Sequence, residues 1–203
     1  FQMMVDADSM RVMQTLADAT NVIAEGEVLQ LMNMHDASLD EEGYLRVIRS
    51  KTAKLFEASA RLGPILAGST PEIEAACAHY GQALGTAFQV IDDVLDYDGN
   101  SAEMGKNLGD DLREGKATLP LILAMQRGNP EQSRTVREAI ETGNVDRLNE
   151  IVAIVRDTGA LAATRSAAAA EAQRAIDAAI QLPDNTYRTA MVALASQLLD
   201  RRT

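Results

Sequence analysis

The stretch Phe88-Gln89-Val90-Ile91-Asp92-Asp93-Val94-Leu95-Asp96 holds three carboxylates and an amide at spacings that a helix brings to one side. Leu84, Phe88, Ile91 and Leu95 form a narrow apolar stripe at helical spacing. Measured from Leu84 at about 100° per residue, Asp92, Asp96, Gln89 and Asp93 fall at about 80°, 120°, 140° and 180°. The acidic flank thus lies beside a stripe that must be buried, and near the negative end of its own helix. Like charges four residues apart cost about 0.2–0.5 kcal/mol, and an acid near a helix C-terminus costs about 0.3–1 kcal/mol more. A hard divalent cation removes that conflict, because Mg²⁺ takes carboxylate and phosphate oxygens together. A solvated acidic face fits the same residues.

The neighbouring segments supply what a metal-bridged anion would need. After the carboxylates runs Gly105-Lys106-Asn107-Leu108-Gly109-Asp110-Asp111-Leu112-Arg113-Glu114-Gly115-Lys116-Ala117-Thr118-Leu119-Pro120. Lysines set among glycines suit an anion that approaches backbone closely. Upstream, Ser50-Lys51-Thr52-Ala53 places a lysine and a hydroxyl in mid-helix. Carboxylates can hold the ions, and lysines can meet the phosphate oxygens that the ions leave free.

Helices must position these groups. Apolar residues Val5, Val12, Leu16 and Ile23 predict one long helix from Phe1 to about Met34, ended by His35-Asp36. Ser38 with Glu41 reads as a capping box for a second helix, which carries Lys51 and Phe56 to a break at Gly63-Pro64. Thr70-Pro71 opens a third, running to about Asp98 and closed by Gly99. A polar connection, Asn100 to Ala117, follows. Thr118-Pro120 opens a helix that stops at Gly128, and four shorter helical patterns end near Gly143, Gly159, Pro183 and the C-terminus. Between Ala160 and Ala179, Arg165, Glu171, Arg174 and Asp177 interrupt the alanines at surface-like spacing, which predicts a tightly packed helix. No stretch alternates as a strand does. The fold class is all-α.

Composition bounds the partners. The 203 residues suit one domain spanning 1–203, with 46% hydrophobic and 3% aromatic residues and no Trp, a helix-favouring skew. A net charge of −11 argues against nucleic acid as a partner, which needs a basic face. No run approaches the ~20 apolar residues of a membrane span. The single cysteine, Cys77, excludes an intrachain disulfide and fits a reducing, cytoplasmic compartment, where it serves as a buried small hydrophobe. His35 and His79 lack a ligand partner four residues on and are given no role. Met3, Met4, Met10 and Met13 read as core residues. The chain begins at Phe1, inside a helical pattern without a cap, so further sequence is expected upstream.

Phe88-Gln89-x-x-Asp92-Asp93-x-x-Asp96 resembles the second aspartate-rich motif of the trans-polyprenyl diphosphate synthases. Lys51-Thr52 resembles that family's Lys-Thr pair, and Gly105-Lys106 through Gly115-Lys116-Ala117-Thr118-Leu119-Pro120 resembles the loop after the motif. With Glu25-Gly26-Glu27-Val28-Leu29-Gln30, the resemblance runs in register over most of residues 1–125.

The resemblance implies an isoprenoid synthase-type helical bundle, here N-terminally truncated, that assembles as a homodimer through the helices Phe1–Met34 and Pro71–Asp98. It implies a reaction in which Mg²⁺ helps draw pyrophosphate from an allylic diphosphate such as farnesyl diphosphate. The double bond of isopentenyl diphosphate then attacks the allylic cation, building a long trans-polyprenyl diphosphate. Carried over, Asp92 binds Mg²⁺, with Asp93, Asp96 and Asp111 supporting the metal and its water shell. Lys51, Lys106 and Lys116 contact the diphosphate, while Thr52 and Gln89 line the cation pocket. The family's first aspartate-rich motif, with its arginines, is not supplied by Asp6/Asp8 or by Asp40-Glu41-Glu42. The chain as printed therefore carries half of the site, and the 203 residues alone are expected to elongate nothing. A non-catalytic subunit of a heteromeric synthase is the alternative; the retained carboxylates and lysines weigh against it. A class I terpene cyclase would carry an Asn/Asp-Ser/Thr-Glu motif, which residues 88–96 do not contain.

Overall fold

The computed structural model describes residues 2–98 and 108–200, which among them contain helices and no strand. The first predicted helix is two. Helix α1 spans Gln2–Asp6 and α2 spans Met10–Met32. Between them Asp8 takes a left-handed φ of +44°, and the Ser9 side chain accepts a hydrogen bond from the Val12 N–H. Ser9 is an N-cap that the apolar periodicity hid. Met3 and Met10 are 85% and 80% exposed, so they are not core residues of this chain.

The second predicted helix also has internal structure. Helix α3 spans Glu41–Ile48, and its cap is Asp40, which accepts from the Gly43 N–H at 2.8 Å. Ser38 instead donates to Asp36. The turn widens to a π-helical segment over Arg49–Ala53, then narrows again in α4, Lys54–Leu66. Such widened turns recur at functional sites. This one lies against Gly26 of α2, where an added Cβ would come within 2.6 Å of the Lys51 amide nitrogen and 2.8 Å of the Ser50 Cβ. Gly26 thus permits the contact that seats Lys51. Gly63-Pro64 does not break α4. The helix ends one turn later in a Schellman motif, with Gly68 at φ +61° and the Ser69 N–H bonded to the Pro64 carbonyl at 3.0 Å.

Helix α5, Pro71–Leu95, carries the carboxylates and forms the axis of the molecule. From Ala76 to Leu95 only His79 is exposed; Cys77 is buried. The helix packs against α4 on one side and α10, Ala160–Ile180, on another. A short helix α6, Asp110–Arg113, follows, then α7, Leu119–Arg127, α8, Pro130–Thr142, and α9, Leu148–Asp157. Helix α11, Thr186–Gln197, closes the order. Side chains of α3, α5, α7, α8 and α9 fill one core, including Tyr44, Ile91, Leu121, Ile140 and Ile151. A second, smaller one joins Tyr80 and Leu84 of α5 to Ala175 and Ala179 of α10. The alanine-rich stretch is a packed helix, with Ala168, Ala172, Ala175 and Ala179 fully buried. Gly99, expected to close α5, lies outside the described residues, as do residues 100–107 of the predicted polar connection. Among the described residues no helix is long and apolar enough to cross a membrane.

Candidate active site

Helix α5, the π-helical segment and the turn after α6 converge on a cavity of about 220 Å³. Asp92 and Asp93 enter it from α5, Lys51 and Thr52 from the π turn, Asp111 from α6, and Lys116 and Thr118 from the chain between α6 and α7. Gln89 also lines it, one turn before Asp93. Carboxylates and ammonium groups separated by up to 65 positions thereby line one cavity.

Each group is held. The Lys51 ammonium lies 2.8 Å from a carboxylate oxygen of Glu27 and donates to Gln30 at 3.1 Å, both on α2. Thr52 donates its hydroxyl proton to the Gln89 amide oxygen at 2.9 Å, and the Gln89 amide nitrogen donates to Asp93 at 2.9 Å. The other Asp93 oxygen accepts from the Tyr44 hydroxyl at 2.6 Å. Asp93 is only 2% exposed; burial, with the charge of Asp111 next, pushes its pKa well above the usual carboxylate range, against its two hydrogen bonds. Burial likewise raises the Tyr44 hydroxyl, reinforced by Asp93. Lys116 bridges Asp111 at 3.0 Å and Glu114 at 2.7 Å. Burial disfavours its charge, but the bond to Glu114 and the charge of Asp111 outweigh that and hold its pKa above the ordinary lysine value.

The structure separates the three carboxylates that the helical wheel placed on one flank. Asp92 lines the cavity and Asp93 is an interior strut. Asp96, one turn on, is not among the cavity residues; its oxygens accept the backbone N–H groups of Asp110 and Asp111, each at 3.2 Å. It joins the end of α5 to the start of α6 and so places Asp111. Lys106 lies outside the described residues. Tyr44, Glu27 and Gln30 were missed as site residues. Tyr44 stands four residues before Ile48 and eight before Thr52, a helical-face spacing that could have flagged it. His35 also has a place: its backbone φ is +63° and its ring Nδ1 lies 3.1 Å from the Ile140 carbonyl, which ties the end of α2 to α8.

The Asp96 arrangement carries a pH signature. Burial, then the charge of Asp111, raises this carboxyl from 3.8 to about 6, although the two amide bonds pull it down. The folded protein therefore holds this proton more tightly than the unfolded chain does. That contribution to stability is complete below pH 3.8 and is lost as pH rises through about 6. Denaturant titration of metal-free protein across this range is expected to show a steeper fall with rising pH in the wild type than in Asp96→Asn. Equal slopes would contradict the raised value.

The donor chemistry fits a hard cation bound together with a phosphate ligand. Among the described residues no three carboxylate, histidine or cysteine side chains converge to enclose a metal by themselves. Mg²⁺ rarely uses such a cage; it takes one or two carboxylates and completes its shell with water and phosphate oxygens. Asp92 and Asp111, lining one cavity with two lysines, match that habit.

Residues 1–155 match the model of the polyprenyl synthetase family. Octaprenyl diphosphate synthase of Escherichia coli strain K12 is 52% identical over 202 residues, covering 99% of this chain and 62% of that protein. The all-trans-nonaprenyl-diphosphate synthase (geranyl-diphosphate specific) of Rhodobacter capsulatus is 44% identical over 201 residues, 99% of this chain and 62% of its own length. A crystal structure of a polyprenyl synthase from Caulobacter crescentus CB15, complexed with calcium and isoprenyl diphosphate, superposes with a TM-score of 0.94 at 42% identity. That match covers 100% of this chain and 62% of the other. The chain thus spans about 62% of the length of these relatives.

Proposed function

The chain belongs to the polyprenyl synthetase family, and on that premise we propose that its 203 residues act as one domain unit of a Mg²⁺-dependent trans-prenyltransferase. The enzyme adds isopentenyl diphosphate units to an allylic diphosphate such as farnesyl diphosphate and yields a long-chain polyprenyl diphosphate. The observation that carries this reading is that Asp92, Asp111, Lys51 and Lys116 converge on one cavity. The Caulobacter relative, bound to calcium and isoprenyl diphosphate, supports the pairing of a divalent cation with a diphosphate.

Asp92 and Asp111 would hold Mg²⁺, with Asp93 behind them and Asp96 setting the position of Asp111. When bound, the ion shields the diphosphate charge and favours departure of pyrophosphate. Lys116 stays protonated at neutral pH and would contact that leaving group, as would Lys51; Lys106, outside the described residues, is proposed for the same role from sequence alone. Lys51 must exchange Glu27 for a phosphate oxygen as substrate enters. The allylic C–O bond breaks with its electron pair leaving on pyrophosphate. Thr52 and Gln89 direct oxygen dipoles at the developing positive charge. The isopentenyl double bond then forms the new C–C bond, and loss of a proton restores an allylic diphosphate.

The protein would work in the cytoplasm as a symmetric homodimer. Helix α5 was expected at the dimer contact, but α4 and α10 cover it within the chain. The exposed Met10, Val28, Leu31 and Met32 favour α2 alone. Purified protein of full natural length is expected to convert farnesyl diphosphate and labelled isopentenyl diphosphate to long trans-prenyl products, read by chromatography after dephosphorylation, and to stop when the metal is chelated. A protein that elongates nothing alone but accelerates a separate catalytic chain would make this a partner subunit instead.

A further inference from the structure

Tyr44, Asp93, Gln89 and Thr52 form a hydrogen-bond chain drawn from α3, α5 and the π turn, and the chain has a direction. An ionised carboxylate has no proton to give, so Gln89 can meet Asp93 only with its amide N–H. The amide oxygen is then turned to Thr52, which must spend its one hydroxyl proton on it. What remains on the Thr52 oxygen, beside the cavity it lines, is lone pairs. A proton on the Asp93 oxygen beside Tyr44 leaves this direction unchanged, because the oxygen facing Gln89 still accepts.

We propose that Asp93, clamped by Tyr44, is a positioning residue that sets the polarity of this chain, so that Thr52 offers lone pairs rather than a proton to the ionising allylic group. The proposal rests on the prenyltransfer reading and changes the part given to Asp93. Both of its oxygens are engaged inside the protein, and it acts through Gln89 and Thr52 rather than by coordinating the ion.

The polarity can be scrambled and restored without changing shape. In Asp93→Asn, position 93 can show Gln89 either an oxygen or an N–H. Tyr44, Gln89 and Thr52 can each donate or accept, so nothing fixes the direction. In Gln89→Glu, two carboxyl groups face each other with no amide proton between them. Combining the two substitutions puts the amide at 93 and the carboxylate at 89. The new amide donates to the new carboxylate, which again accepts the Thr52 proton, and the total charge is that of the wild type.

The test uses protein of full natural length and two readouts: steady-state elongation, and calorimetric binding of a tertiary-amine analogue of the allylic substrate with Mg²⁺ and pyrophosphate. The protonated amine mimics the allylic cation, so lone pairs turned toward it strengthen binding and a proton turned toward it weakens binding. Each single variant is expected to lose ~10²-fold in kcat with KM within about threefold of wild type, as for an interaction made only in the transition state. Amine affinity falls at least about tenfold in the singles, and the double variant returns both quantities to within about tenfold of wild type. A double variant no better than the worse single overturns the proposal. Should the charge-altered variants not fold, Thr52→Val keeps the shape and removes the lone pairs. It is expected to weaken amine binding by about tenfold or more, and unchanged affinity overturns the proposal. Wild-type protein that elongates nothing sinks the prenyltransfer reading, whereas an active wild type without rescue sinks only this inference.

Discussion

Replacing Asp92 with alanine is expected to lower elongation turnover by ~10²–10³-fold, the usual cost of deleting one preorganised electrostatic contact. Asp92 lines the cavity together with Lys51, Thr52, Asp111 and Lys116. Its neighbour Asp93 is spoken for by Tyr44 and Gln89, and Asp96 by the backbone of α6, so neither can swing round to replace it. The helical circular dichroism signal should be that of the wild type. Calorimetric titration with Mg²⁺ and inorganic pyrophosphate separates binding from chemistry: the variant should bind the pair much more weakly. Equal binding by both proteins would remove Asp92 from the metal site. His79→Ala, on the exposed side of α5, serves as the control with turnover near wild type.

The second large effect is on stability. Gly81 sits where α5 crosses α4, and a Cβ there would come within 2.7 Å of the Phe56 carbonyl carbon and 2.8 Å of the Glu57 Cα. Four residues on, Gly85 meets the Ala53 Cα at 2.7 Å in the same way. These obstacles are backbone atoms, so no rotamer change relieves them and one helix must move. Overpacking of this kind costs about 1–3 kcal/mol, against about 1 kcal/mol that alanine returns in helix propensity. Packing wins. Gly81→Ala should therefore melt several degrees lower, at roughly 2–4 °C per kcal/mol for a domain of this size. A melting temperature at or above that of the wild type would mean that the crossing has slack. Because α4 continues directly from the π turn, the same displacement should loosen the 2.9 Å contact between Thr52 and Gln89.

The sequence spoke clearly where a signal is local. The caps at Thr118 and Gly128 and the stop at Gly143 lie within one turn of what they control, and the structure has α7 and α8 at those places. The all-helical class followed from composition, caps and periodicity, and the structure bears it out among the described residues. The family resemblance likewise brought Lys51, Thr52, Gln89, Asp92, Asp93, Asp111 and Lys116 into one list before any coordinates, and one cavity is lined by them. Asp96 from the same list is not among its residues, and Lys106 lies outside the described ones. What could not be read is which partner each side chain meets. Tyr44 and Asp93 are 49 positions apart, and a helical wheel gives a direction in space, never the group waiting there. The wheel also assumed that α5 has a solvent side. It has almost none, so the carboxylates were sorted by neighbours rather than by angle, into a cavity residue, a strut and a cap. The π turn was hidden too; it packs against Gly26 of another helix, a contact that no local pattern announces.

The alanine seam of α10 has a consequence for how the back of α5 behaves. Ordering a buried leucine or isoleucine forfeits about 0.5–1 kcal/mol of rotamer freedom, and alanine forfeits none. Ala168, Ala172, Ala175 and Ala179 therefore dock with no side-chain entropy to lose, and once docked they have no alternative rotamers to visit. Each contributes little apolar area, so cohesion along the seam comes from many close dispersion contacts between the two helices. Such a surface resists thermal rearrangement but has no means of absorbing added volume. The helix that carries Asp92 and Asp93 is thus backed by a wall without internal degrees of freedom, and variation in this protein should be spent on the solvent face of α10 while the seam keeps its small residues.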